Sequence, residues 1–456
     1  MSAHKTSIPR RHAHAAVLPA LAMAALLPLA ARGAEPWPQW RGPDGQGHAP
    51  DAHDLALEWS EEKNVAWKTP IPGRGWSSPV VADGLVWLTT ALESEPSPEE
   101  KARRAAAAGG QPLTISGPVS LRVVAVDLDT GRLRHDIEVG LVTDAQPIHT
   151  LNSFASPSPV VADGTLWCHF GDFGTACVET ATGRVVWAHR LLRLNHENGP
   201  GSTPVQWRDK LIIHLDGSDT QSIVALDAAS GAIAWRTPRS GAMNADLQLK
   251  KAYGTPLVLS LGGRDVVLSP AADWLYAYDP ADGTELWRMA YGGLGFSIVP
   301  RPVSGHGLLF MSTSFMATEV LAVRLADATT PPTIAWREKR GAPTMPSPLL
   351  VGDELYLVTD KGVATCLDAR TGTQHWSERL GGNVTSSPLF AAGRIFVANR
   401  DGDTFVIRPG RQYGILATNH LDGAIHASPV AVGRALLLRT DKALYRIEEA
   451  TAAADR

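Results

Sequence analysis

A serine or threonine followed by proline and a short apolar run recurs down this chain, and each copy opens a similar stretch of about 40 to 50 residues, the length of one propeller blade. The copies are Ser78-Pro79, Ser158-Pro159, Thr203-Pro204, Thr255-Pro256, Arg301-Pro302, Ser347-Pro348, Ser387-Pro388 and Ser428-Pro429. Seven of these eight carry a hydroxyl before the proline, and the fifth carries Arg301 instead. A period that runs from Trp67 to Arg446 argues for one closed domain rather than several independent ones.

Within a copy the order is strand, Asp-Gly turn, strand, loop, strand, Thr-Gly turn, and a strand ending in Trp. The second copy shows it from Ser158 through Asp163-Gly164 and Thr182-Gly183 to Trp187. Four short antiparallel strands cannot bury both faces alone, whereas stacking copies radially buries them and closing the ring removes the edges. Proline at the start of the first strand suits an innermost edge facing a channel, because a central strand could not spare that ladder donor. The recurrent Trp187, Trp235, Trp287, Trp336 and Trp376 are expected to pack between blades. The last copy ends without its Trp strand, and residues 64–67, with Trp67, precede the first copy without a partner of their own. Pairing the two closes the ring. The expectation is an all-β, eight-bladed propeller of four-stranded antiparallel blades over residues 64–449, after an extension at 35–63 and before a tail at 450–456.

The remaining features bound the cell biology. With 19% charged residues and a net charge of -4, the chain gives no reason to expect nucleic acid. Lys5, Arg10 and Arg11 precede an apolar run, residues 15–31, interrupted by Pro19 and Pro28. It reads as a secretory signal ending near residue 34, too short for a transmembrane segment, and no cysteine near it offers a lipid anchor. A periplasmic or secreted location follows. Of the three cysteines, Cys168 and Cys177 flank a hairpin tip where a disulfide is conceivable, but their repeat slots are held elsewhere by small or apolar residues, which suits free buried thiols.

The turns Asp127-Leu128-Asp129-Thr130-Gly131, Thr182-Gly183 through Trp187, Asp227 to Gly231 through Trp235, and Asp279 to Gly283 through Trp287 resemble the tryptophan-docking repeat of the PQQ-like propeller superfamily. That group includes quinoprotein alcohol dehydrogenases and BamB-like assembly proteins. The opening Trp37-Pro38-Gln39-Trp40-Arg41-Gly42-Pro43 looks like the start of secreted PQQ-like repeat proteins of planctomycete-type bacteria. The resemblance implies fold far more strongly than activity.

Loops between second and third strands share a face with the connections between blades, and here they gather His, Asp, Asn, aromatics and glycines. His196, Glu197 and Asn198 lie in one connection, and Asp273 in one hairpin loop. Three residues before each proline stand Trp76, Ser156, Gly201, Tyr253, Val299, Met345, Thr385 and His426, expected to converge at the channel mouth. Arg301 is expected there as well, either anchoring a flat or anionic ligand or pairing with Asp273 to plug the hole. His149, His169, His196, Glu197, His214 and Asp216 match no metal-ligand spacing, so no metal is assigned. An insertion at residues 92–119 of blade one carries a helix-entry signal and reads as a lid or as an idle loop. No residue is assigned a catalytic role. The leading expectation is a non-catalytic propeller that binds a protein partner or small ligand on the loop face. The alternative is a PQQ-dependent dehydrogenase with calcium, for which Trp76 would stack on the quinone and Arg301 bind its carboxylates. A third is a carbohydrate-binding propeller.

Overall fold

Each proline of the repeat starts the innermost strand of a blade, from Val80–Ala82 in blade one through Leu349–Val351 in blade six to Val430–Val432 in blade eight. The computed structural model describes residues 1–4, 36–107, 111–293, 295–313 and 315–449. The expected leader, beyond residue 4, and the tail at 450–456 lie outside them. Eight antiparallel sheets follow one another, and seven run their strands in chain order. The eighth is closed by the N-terminal strand Val65–Pro70, which pairs with Ala443–Ile447 in the register Trp67 to Arg446 and Thr69 to Leu444. Ring closure therefore joins the two ends of the described domain, with a strand longer than the residues 64–67 expected.

Where a repeat keeps both, its tryptophan and the glycine of the next blade's turn explain one another. The Trp67 indole donates to the carbonyl of Leu128 at 2.9 Å and the Trp187 indole to that of Ala228 at 3.2 Å, each in the last turn of the next blade. The glycine of that turn must be bare. A Cβ on Gly131 would lie 2.6 Å from the Trp67 ring, and the residue holds φ +70°, where side chains are disfavoured. Trp235, Trp336 and Trp376 repeat the indole bond to Pro280, Ala369 and Gly410. In blade one His135 takes the tryptophan's place, stacking on Trp87 with centroids 5.6 Å apart.

Cys168, Cys177 and Cys366 are free and buried. Register explains the missing bridge. Cys177 faces Trp167 and Cys168 faces Ala176, so the two thiols are offset by one residue and point to opposite sides of the sheet. The insertion forms a helix, Pro98–Ala107, then a short strand, Leu113–Thr114, that pairs with Ile148–His149 of the connection to blade two. Among the described residues no helix is long and apolar enough to cross a membrane.

Candidate binding site at the channel mouth

The residue before proline is held extended, which turns its backbone N–H sideways toward the neighbouring blade. There it meets the hydroxyl of the next copy. Ser78 donates to Ser158 Oγ at 2.9 Å, Ser158 to Thr203 Oγ1 at 3.1 Å, and Thr203 to Thr255 Oγ1 at 3.0 Å. Arg301 donates to Ser347 Oγ, Ser347 to Ser387 Oγ and Ser387 to Ser428 Oγ, each at 3.0 Å. Ser428 returns to Ser78 Oγ at 2.9 Å. The repeat hydroxyls thus form a belt around the channel, interrupted at the one position where Arg301 offers no hydroxyl to Thr255.

Beneath this belt the channel is filled by the chain's own N-terminal segment. Trp37 exchanges backbone bonds with Val81 of blade one, and Pro38 accepts from Val161 of blade two. The Trp40 indole donates to Ser428 Oγ at 3.3 Å and Arg41 Nη2 to the carbonyl of Pro348 at 2.7 Å, both at belt level. The segment then turns back through Gly42, Gly45 and Gly47, all at positive φ, and His48–Ala49 adds a parallel strand to the inner edge of blade seven. Residues 37–49 therefore form a hook whose tip, Trp40 and Arg41, rises to the belt and closes the channel from below.

Above the tip lies a cavity of about 500 Å³. All eight residues three before the prolines line it: Trp76, Ser156, Gly201, Tyr253, Val299, Met345, Thr385 and His426. Its floor is Trp40 with Ser78, Ser158, Thr203 and Ser428 of the belt. The Trp76 indole stacks on the His426 ring, centroids 4.0 Å apart and planes 16° from parallel, and Arg74 lies 5.3 Å from the Trp76 centroid. Burial, together with the charges of Arg400, Arg74 and Arg439, pushes the His426 imidazole down to about 4. It is therefore a neutral wall element at physiological pH.

The blade connections stiffen one side. Tyr253 donates its hydroxyl to the His196 carbonyl at 2.6 Å and accepts from Asn198 Nδ2 at 3.1 Å. Asn152 Nδ2 reaches the carbonyls of Asn198 and Pro200. Asn198, Lys251 and Gln248 line the cavity, and Lys251 is neutralised by Glu197 at 2.5 Å. The insertion delivers Gln111 to the same rim, so the segment before its short strand builds part of the wall.

Of the residues expected at the site, Trp76, Tyr253, Met345, His426 and Asn198 line this cavity. Four take other positions. His196 is buried behind the wall, where Nε2 accepts from the Asp172 N–H at 2.8 Å and burial lowers the imidazole to about 4. Glu197 answers Lys251. Asp273 holds the connection to the next blade, accepting from the Gly295 N–H at 2.9 Å, and does not meet Arg301. Arg301 itself is 2% exposed and is not part of the lining: its Nη1 donates to the Trp40 carbonyl at 3.1 Å, turned toward the hook. Arg301 thus meets neither the cavity nor Asp273, the two places expected of it, but a segment that no repeat argument could place.

The other polar loop residues are held by neighbours. His169 shares a bond with Thr175 Oγ1 at 2.8 Å, and His214 with Ser269 Oγ at 2.5 Å. Asp216 is paired in the interior with Arg239 at 2.7 Å, and Asp172 with Arg193 at 2.8 Å. Among the described residues no group of three or more His, Cys, Asp or Glu is placed to share a metal ion. Lining residues that sequence reasoning did not nominate include Trp40, Phe315, Lys251 and Gln248; only the Gly-Pro-Asp-Gly turn at 42–45 hinted that the extension bends back.

The model of the family described as outer membrane protein assembly factor BamB matches residues 43–237, 173–330 and 271–425 in overlapping spans, most of the chain. Among solved structures, BamB from Moraxella catarrhalis is 15% identical, with a TM-score of 0.50 over 79% of this chain and 99% of that one. The computationally designed Ika8 protein is 13% identical, with a TM-score of 0.50 over 74% and 95%. A quinohemoprotein alcohol dehydrogenase from Comamonas testosteroni is 12% identical, with a TM-score of 0.49 over 92% and 82%. At these identities the likeness is one of fold. No curated protein matches the chain.

Proposed function

The chain belongs to the propeller family described as outer membrane protein assembly factor BamB, and from that premise we propose that it is a binding propeller without a catalytic centre. In this reading it works in the periplasm or outside the cell, and its channel-mouth cavity seats an apolar or aromatic group presented by a protein partner. The observation that carries the reading is the lining: aromatic and aliphatic side chains among amides, a floor of hydroxyls, and no carboxylate among the lining residues. Leu151 and Phe315 stand at the rim 47% and 53% exposed, with Met316 beside them at 72%, the kind of apolar patch that marks interaction surfaces. Phe315 and Met316 also hold φ of +36° and +64°, strain that concentrates at ligand clamps.

PQQ with calcium fits these residues poorly. Calcium takes six to eight oxygens, carboxylates prominent among them, and the lining supplies only hydroxyl, amide and backbone oxygens. Trp76 has one face against His426, and Arg301 lies outside the cavity. The same stack takes an indole face that a sugar platform would use. A photo-crosslinking amino acid at Met345, in protein exported to a bacterial envelope, should trap a partner in an adduct that Trp76→Ala weakens. The same probe at Thr130, in a turn of the opposite face, should trap none. Dye-linked alcohol oxidation after loading with PQQ and calcium, or equal adducts from both faces, would overturn the reading.

A further inference from the structure

Two arginines meet inside the channel, at the tip of the hook. Arg41 and Arg301 are 3% and 2% exposed. Arg41 Nη2 donates to the carbonyls of Gln46 at 2.6 Å and Pro348 at 2.7 Å, and Arg301 Nη1 to the Trp40 carbonyl at 3.1 Å. These acceptors are neutral. Arg41 Nε and Nη1 and Arg301 Nε are buried and have no acceptor. The carboxylate that acts on both, Asp44, already accepts from the Gln46 N–H at 2.8 Å and meets His48 Nδ1 at 3.1 Å. Burial lowers the Arg41 guanidinium to about 9, with the nearby Arg301 charge adding to it, and burial lowers Arg301 to about 10. Both stay cationic near neutral pH.

Unmatched buried charge is expensive, and here two like charges share one interior. The hook is shaped around them. A Cβ on Gly45 would lie 2.4 Å from Arg301 Nη1, and one on Gly47 would lie 2.8 Å from Arg41 Nη2, while both glycines hold positive φ. A water would satisfy some donors, but it brings two donors of its own and no negative charge. We propose that Arg41 and Arg301 bind a halide ion, chloride under physiological conditions, which accepts from the N–H groups left over and fastens the tip of the hook beneath the cavity. The proposal stands apart from the cavity's occupant, since the ion sits on the other side of Trp40.

Crystals grown in bromide should show an anomalous peak between the two guanidinium groups. In solution the melting temperature should rise with chloride and saturate relative to gluconate at equal ionic strength, because an ion bound only by the folded state stabilises it by mass action. Arg301→Ser, which supplies the missing belt hydroxyl, should abolish that difference. If this variant fails to fold, the bromide crystal and the two salts decide the matter on the unmodified protein. Ordered water without an anomalous peak, or a peak with identical melting in both salts, which would mark an adventitious ion only, overturns the proposal.

Discussion

Ser428 closes the belt of hydroxyls and at the same time holds the hook, so its removal tests both. Its Oγ accepts from the Ser387 N–H at 3.0 Å and from the Trp40 indole at 3.3 Å. Ser428→Ala leaves the first donor buried without an acceptor, at about 1–3 kcal/mol, and weakens the second at the low end of that range, for about 2–4 kcal/mol together. Thr203→Val is the companion measurement. It changes the side-chain volume little but strips the acceptor from the Ser158 N–H alone, at 3.1 Å, and should cost about 1–3 kcal/mol. Urea denaturation reads both as a lower midpoint with an unchanged slope. The order matters as much as the size: Ser428→Ala should exceed Thr203→Val, since it strands two donors rather than one. If both variants unfold within about 0.5 kcal/mol of the parent protein, the ordinary range of a neutral surface change, the hydroxyls are incidental to the prolines beside them and the belt stores no stability.

What the sequence made legible is what repeats. The eight Xaa-Pro steps located every inner strand, and because a fixed offset from the proline is a fixed height in the channel, all eight residues three positions earlier proved to share one cavity. Closure was legible for a different reason: Trp67 had the repeat's tryptophan without the repeat's other strands. The hook was not. Residues 37–49 carry no period, and their partners lie hundreds of positions away, as for Trp40 with Ser428. Arg301 shows the same limit. The repeat fixed where its backbone stands, but the direction of a long side chain is set by what fills the space beside it, here the Trp40 carbonyl. The histidines of blades two and three looked like a cluster along the chain. In space His169, His196 and His214 do line one small cavity, but each holds a ring nitrogen on a protein partner, Thr175 Oγ1, the Asp172 N–H and Ser269 Oγ, and no group of three or more His, Cys, Asp or Glu among the described residues is placed to share a metal ion.

Two further outcomes follow from the fold. Removing residues through Trp67 takes away the hook and part of the strand that pairs with Ala443–Ile447, leaving an open strand edge at each side of the gap; such a protein should aggregate on size exclusion, and a monomer with unchanged melting temperature would contradict the closure. Acid should unfold the propeller through its interior histidines. Burial lowers His169 to about 3 and His196 to about 4, and it lowers His214 as well. Their folded values lie below the ordinary 6.5, so between pH 6.5 and the folded values the unfolded chain binds more protons than the native one, and stability falls as pH falls. Each such histidine contributes about 1.4 kcal/mol per pH unit across that window, and the three act together down to about pH 4. Denaturation midpoints measured from pH 7 to 4.5 should therefore drop steeply, and because His426, also lowered to about 4, adds to these three, replacing His196 by Gln should flatten the slope by about a quarter of the histidine contribution. A midpoint that stays level across that range would mean these imidazoles take up protons in the native protein, which the enclosed bonds to Thr175 Oγ1, the Asp172 N–H and Ser269 Oγ leave little room to do.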